Sequence, residues 1–152
     1  MNKKILVVED NSHKSDKIIN HIENELPACN VLLAKSFSSG ASLALDGGFD
    51  IVIIDMSLPT FDRSDQESGG RNRPFGGREL ARKIIRRKIK SKLIFITQYE
   101  SFSDHGRTFT FSSLRDEVEK ECGYYYCGFI MYDSSKMLWK SELSSSLERA
   151  LK

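Results

Sequence analysis

The sequence predicts an α/β fold: a single domain built on one doubly wound, five-stranded parallel sheet with helices on both faces. Three observations predict it. Five short apolar runs recur along the chain, ILVV (5–8), VLLA (31–34), IVII (51–54), LIFI (93–96) and FIM (129–131), each bounded by polar residues. Segments of helical period lie between them, and strands that alternate with helices pair in parallel through right-handed crossovers. The runs are continuously apolar rather than alternating, the pattern of strands covered on both faces.

Each helix follows from its spacing. In residues 12–26, Ile18, Ile19, Ile22 and Leu26 share one face, with Asn11 or Ser12 able to cap the start. Residues 37–45 gather Phe37, Ala41, Ala44 and Leu45, and Gly47-Gly48 stops that helix. Residues 78–89 place Leu80, Ala81, Ile84 and Ile85 opposite a basic face, and a weaker pattern covers about 112–122. The last helix, about 135–151, stacks Leu138, Trp139, Leu143 and Leu147. Two connections, at about 56–76 and 98–111, exceed the roughly 12–15 residues above which loops in compact domains are uncommon. The first is polar and Gly-rich, the second carries aromatics, and both read as insert-like loops.

Composition narrows the function classes. With 152 residues, the chain is of ordinary size for one domain, and 23 basic against 21 acidic residues leave it nearly balanced. That balance makes no case for bulk attraction to nucleic acid. The basic run Arg82-Lys83, Arg86-Arg87-Lys88, Lys90 and Lys92 is either a partner-facing patch or the solvated face of a helix. Cys29, Cys122 and Cys127 lack metal-ligand spacing and suit buried thiols in a reducing compartment. No apolar run approaches the roughly 18 residues of a membrane helix, so a cytoplasmic location without membrane attachment is expected.

The chemistry gathers where strands end in acids. IVII runs into Asp55, and ILVV ends in Glu9-Asp10. In doubly wound sheets ligands bind beyond the carboxyl ends of the strands, where strand order reverses. Adjacent strands ending in this way would hold three carboxylates in one crevice, and a hard, oxygen-seeking ion such as Mg²⁺ offsets their repulsion. Thr97 ends the fourth run at the same rim.

Taken together, VVEDN after the first strand, DMSLP after the third, FIT on the fourth and GREL at 77–80 resemble the receiver domain of two-component response regulators. The resemblance covers nearly the whole chain in order and implies one receiver domain of flavodoxin-like fold over residues 1–152, with no output domain. It implies that Asp55 is the phosphoacceptor, taking a phosphoryl group from a sensor histidine kinase or phosphotransfer protein. It implies Mg²⁺ as cofactor, held by Glu9, Asp10, Asp55 and the main-chain carbonyl of Ser57, with Asp10 preferred to Glu9 as direct ligand. Thr97 would hydrogen-bond the phosphoryl oxygens, and Phe129 matches the aromatic switch position. The only catalysis implied is self-phosphorylation and autodephosphorylation at Asp55.

The sequence also departs from the family. A lysine, usually followed by proline, is expected after the fifth strand, and Tyr132-Asp133 stand there instead. Lys136, one helical turn on, either reaches back to supply the missing charge or is an exposed residue at the start of the last helix. Gln98 is bulky where the family has a small residue and would crowd or gate the site. The two long loops border the same crevice, as a lid or a partner surface.

Two readings follow. In the first, a stand-alone receiver accepts phosphate at Asp55 and signals to a protein effector, with no direct nucleic-acid contact and homodimerisation open. In the second, a pseudo-receiver keeps the fold as a binding module whose output does not depend on phosphorylation. A hydrolase or transferase of similar architecture would want an acid two residues after Asp55, where Ser57 stands. A flavin or nucleotide binder would want a phosphate-cradling loop where the acidic EDN lies.

Overall fold

The computed structural model of the chain describes residues 2–64, 66–98 and 101–152, apart from the Asp104 side chain. Its centre is a five-stranded parallel sheet of β1 (Lys4–Val8), β2 (Asn30–Ala34), β3 (Ile51–Ile54), β6 (Lys92–Thr97) and β9 (Tyr126–Met131). The spatial order is β2-β1-β3-β6-β9, so strand order reverses beside β1. The predicted architecture is the observed one, with each predicted strand at its expected place.

Alternate side chains of each strand point to opposite faces, and both faces are apolar. Leu6, Val8, Val52, Ile54, Leu93 and Phe95 face α2 (Phe37–Asp46), α3 (Gly76–Arg86) and α4 (Phe111–Cys122). Ile5, Val7, Ile51, Ile53, Ile94 and Ile96 face α1 (Ser12–Glu25) and α5 (Leu138–Ala150). The two cores explain why the runs read as continuous rather than alternating. Asn11 caps α1 by accepting from the Lys14 amide, and Gly47 ends α2 at φ +84°. All three cysteines are free thiols, and among the described residues no helix is long and apolar enough to cross a membrane.

Both long connections contain more regular structure than their composition indicated. In the first, β4 (Leu58–Pro59) pairs antiparallel with β5 (Asn72–Arg73), and the Thr60 and Phe61 amides extend the pairing by donating to the Arg71 and Gly69 carbonyls. Leu58 is buried, and the Ser39 hydroxyl donates to Asp62, tying the insert to α2. In the second, β7 (Ser101–Asp104) and β8 (Arg107–Thr110) form a hairpin, and Phe111 already belongs to α4. Expected loop thus gives way to strand, because Phe102 and Phe109 pair on one hairpin face and pack on Phe75, 6.2 and 5.6 Å between ring centroids. Asp65, Tyr99 and Glu100 of these two connections lie outside the described residues.

Candidate phosphoacceptor site

The strand ladders carry the acids to one rim. The Asp55 amide donates to the Val8 carbonyl at 3.0 Å and the Glu9 amide to the Ala34 carbonyl at 2.9 Å, continuing parallel pairing one residue past each strand. Asp55 and Glu9 therefore emerge side by side, both buried. Thr97 is fully buried at the end of β6, and its carbonyl accepts from the Tyr132 amide at 2.7 Å. Gly77 lets α3 approach: a Cβ there would lie 2.3 Å from the Asp55 carbonyl oxygen.

The decisive residue is one the sequence reading passed over. Lys14, in the first turn of α1, sends its ammonium inward to lie 2.6 Å from Glu9 Oε1 and 3.3 Å from Asp55 Oδ2. It also donates to the Ile96 carbonyl at 3.0 Å, and the residue is 1% exposed. This is a costly placement, since an ammonium loses its hydration and the first turn of a helix disfavours positive charge. Two carboxylates and a carbonyl offset that cost. The signal was present in the spacing: Lys14, Ile18 and Ile22 form one i, i+4, i+8 stripe, and all three are buried.

Lys136 stays at the surface and does not reach the site. Lys136 is 72% exposed by side chain, with its Nζ 3.9 Å from Asp133 at the surface. Asp133 in turn accepts from the Ser135 amide and hydroxyl, bonds that hold its carboxyl below the usual range. Tyr132 is buried, its ring centroid 5.7 Å from Lys14 Nζ and 5.0 Å from the Trp139 ring. Burial pushes its phenol up, partly opposed by the Lys14 charge. Gln98 is exposed and lines a shallow cleft of about 220 Å³ with Tyr132 and Asp133, so it flanks the site rather than filling it.

The other predicted residues are distributed around this core. Asp10 is half-buried and its Oδ2 lies 3.5 Å from Arg63 Nη1, a contact from the first insert. Ser57 is half-buried, its hydroxyl accepting from Asn72 Nδ2 at 3.1 Å. Phe129 is packed inward between Phe95 and Phe111, at centroid distances of 5.7 and 5.0 Å.

Electrostatically, the Glu9 carboxyl is pushed up to about 7, by burial first and then by Asp55, against lowering by Lys14 and the Asn11 amide. Asp55 Oδ1 is buried and has no hydrogen-bond partner among the described residues. A buried oxygen without a partner is expensive unless something else engages it. For a hard divalent ion the donor chemistry fits, since Glu9, Asp10 and Asp55 offer only oxygen. The acids are not gathered in advance, because Glu9 turns to Lys14 and Asp10 to Arg63. Among the described residues no three His, Cys, Asp or Glu side chains form a ready metal cluster.

Known proteins match this arrangement at the level of fold. No protein-family model matches the chain. An uncharacterized protein, y4jR, of Sinorhizobium fredii is 28% identical over 145 residues, covering 94% of this chain and 95% of that protein. The Detocs response regulatory protein DtcB of Enterobacter cloacae is 27% identical over 142 residues, covering 92% and 95%. Among solved structures, a response regulator receiver domain protein from Clostridium thermocellum superposes with a TM-score of 0.66 at 20% identity, over 98% of this chain and 94% of that one. The non-phosphorylated HemR receiver domain of Leptospira biflexa gives 0.65 at 23% identity, over 99% and 94%. TrrA of Thermotoga maritima, solved in complex with Mg²⁺-BeF, gives 0.61 at 18% identity, over 97% and 98%. The chain therefore has the receiver fold of two-component response regulators.

Proposed function

We propose that this protein is a signalling receiver that accepts a phosphoryl group on Asp55 from a histidine kinase or phosphotransfer protein and passes the signal on through protein contacts. The observation that carries this reading is Oδ1 of Asp55, a buried carboxylate oxygen with no hydrogen-bond partner among the described residues, at the strand-order reversal of a receiver fold. A carboxylate nucleophile there yields an acyl phosphate, which forms and hydrolyses readily enough to serve as a switch.

Mg²⁺ is the proposed cofactor, held by Asp10, Asp55, the Ser57 carbonyl and, directly or at one remove, Glu9. When bound, it would neutralise charge on the phosphoryl oxygens, where positioning and electrostatics supply most of the catalysis. The chain's own residues do the rest. Asp55 presents the attacking oxygen, Thr97 stands at the end of the neighbouring strand to donate a hydroxyl, and Tyr132 keeps water from one side.

A second reading has its own observation. Lys14 already compensates Asp55 at 3.3 Å, as a binding module indifferent to phosphate would require. One experiment separates the two: incubation with acetyl phosphate and Mg²⁺, and with histidine kinases, followed by mass spectrometry. A receiver gains the mass of one phosphoryl group, and Asp55→Asn abolishes the gain. An unmodified wild-type chain under both donors would establish the phosphate-independent module.

A further inference from the structure

We propose that Lys14 is the group that grips the phosphoryl moiety on Asp55, a cation delivered from the first turn of α1 rather than from the end of β9. This inference rests on the phosphoacceptor reading of Asp55 and assigns the charge that acts there.

The position of the ammonium carries the argument. Its Nζ sits 3.3 Å from Oδ2 of Asp55, while Oδ1 of the same carboxylate has no hydrogen-bond partner among the described residues. Attack through Oδ1 would leave Oδ2 and Lys14 in contact and place the new phosphoryl oxygens beside the ammonium. Three further contacts fix it there: Glu9 Oε1 at 2.6 Å, the Ile96 carbonyl at 3.0 Å, and the flank of the Tyr132 ring. A flexible lysine stem held on several sides is oriented before any substrate arrives, which is how charge stabilisation avoids reorganisation during reaction. The setting is also the wrong one for a merely structural lysine. A buried cation in the first turn of a helix opposes the helix dipole, and an apolar residue on the Ile18–Ile22 stripe would pack without that cost.

The chemistry balances without a proton. An Asp55 oxygen attacks phosphorus, the bond from phosphorus to the donor's leaving oxygen or nitrogen breaks, and the leaving group departs with the electron pair. Lys14 stays an ammonium throughout, meeting the oxygens on which charge accumulates. Tyr132 explains how the exchange of positions is accommodated. Its ring faces the same ammonium from the residue after β9, so a lysine at 132 would reach the volume that Lys14 fills.

The test moves the charge. Lys14→Met, chosen to keep the stem's bulk, should lower the rate of Asp55 labelling by acetyl phosphate at least tenfold, on the scale of losing one preorganised charge donor. Lys14→Met combined with Tyr132→Lys should recover most of that rate, and circular dichroism with urea unfolding confirms that each variant is folded. A folded Lys14→Met labelled at the wild-type rate would overturn the inference while leaving Asp55 as phosphoacceptor. Should Lys14→Met not fold, Lys14→Gln takes its place, and a folded Lys14→Gln labelled at the wild-type rate would equally overturn it. If no donor labels the wild type, the receiver reading fails by itself, and binding of beryllofluoride with Mg²⁺, followed by Trp139 fluorescence, decides the role of Lys14. Weaker binding to a folded Lys14 variant supports it, and equal binding, or none to wild type, overturns it.

Discussion

Gly77 and Asp55 are in backbone contact: a Cβ on Gly77 would lie 2.3 Å from the Asp55 carbonyl oxygen and 3.0 Å from its carbonyl carbon. The Gly77 amide also donates to the Met56 carbonyl at 2.8 Å, so α3 begins against the loop that leaves the acid. Backbone cannot yield as a side chain can. Gly77→Ala is expected to destabilise the fold by about 1–3 kcal/mol, the usual scale of overpacking. Urea unfolding measures it, and a loss of Asp55 labelling beyond that of an equally destabilised variant elsewhere would show that the contact also positions the acid.

Stability should depend on pH through Glu9. Its folded carboxyl is raised from 4.5 to about 7, so between these values the folded state binds more protons than the unfolded chain. Below about 4.5 both states are protonated and this penalty is absent; it grows as pH rises and is complete above about 7. In metal-free buffer, Glu9→Gln should therefore gain stability relative to wild type as pH rises from 5 to 8. Denaturant midpoints across that range check it, and a constant difference would refute the assignment.

Arg63 holds Asp10 by an exposed, screened contact at 3.5 Å. Such pairs contribute about 0.2–1 kcal/mol. Arg63→Ala should accordingly tighten Mg²⁺ binding by a factor between about 1.4 and 5, and the gain should shrink in high salt. Isothermal titration at two ionic strengths reads both effects.

The basic face of α3 is partly answered within the fold. Arg78 donates to Glu121 at 3.1 Å and Arg82 at 2.8 Å, with Glu117 3.3 Å from Arg78. These links cross to α4 at the surface. Glu121→Ala should cost no more than about 1 kcal/mol in urea unfolding at low salt, and less as salt rises.

Much of this molecule was legible in advance because its signals are local. A strand covered on both faces must be apolar throughout, so ILVV and IVII announce themselves, and Asn11 and Gly47 cap helices by rules that span a few residues. Asp55 and Glu9 emerge side by side because parallel strands share a carboxyl end, and Thr97 ends β6 at the same rim. Lys14 was missed because a lysine among helix residues reads as solvated, and its stripe with Ile18 and Ile22 was interrupted by the very residue that mattered. The β7–β8 hairpin was missed for a different reason. SFSD and RTFT flank a His105-Gly106 turn with only one phenylalanine each, and their burial depends on Phe75, 27 residues from Phe102 and 34 from Phe109 in the chain.

The aromatic packing around Phe129 has a mechanical consequence. The ring is stacked on Phe95 of β6 and met edge-on by Phe111, the first residue of α4, whose start is pinned in turn by the reciprocal Thr110–Ser113 cap directly after β8. A swing of Phe129 cannot be a private rotamer change. It would break the ring contacts to Phe95 and to the head of α4, so in the receiver proposed above a phosphoryl group on Asp55 would be felt at that helix.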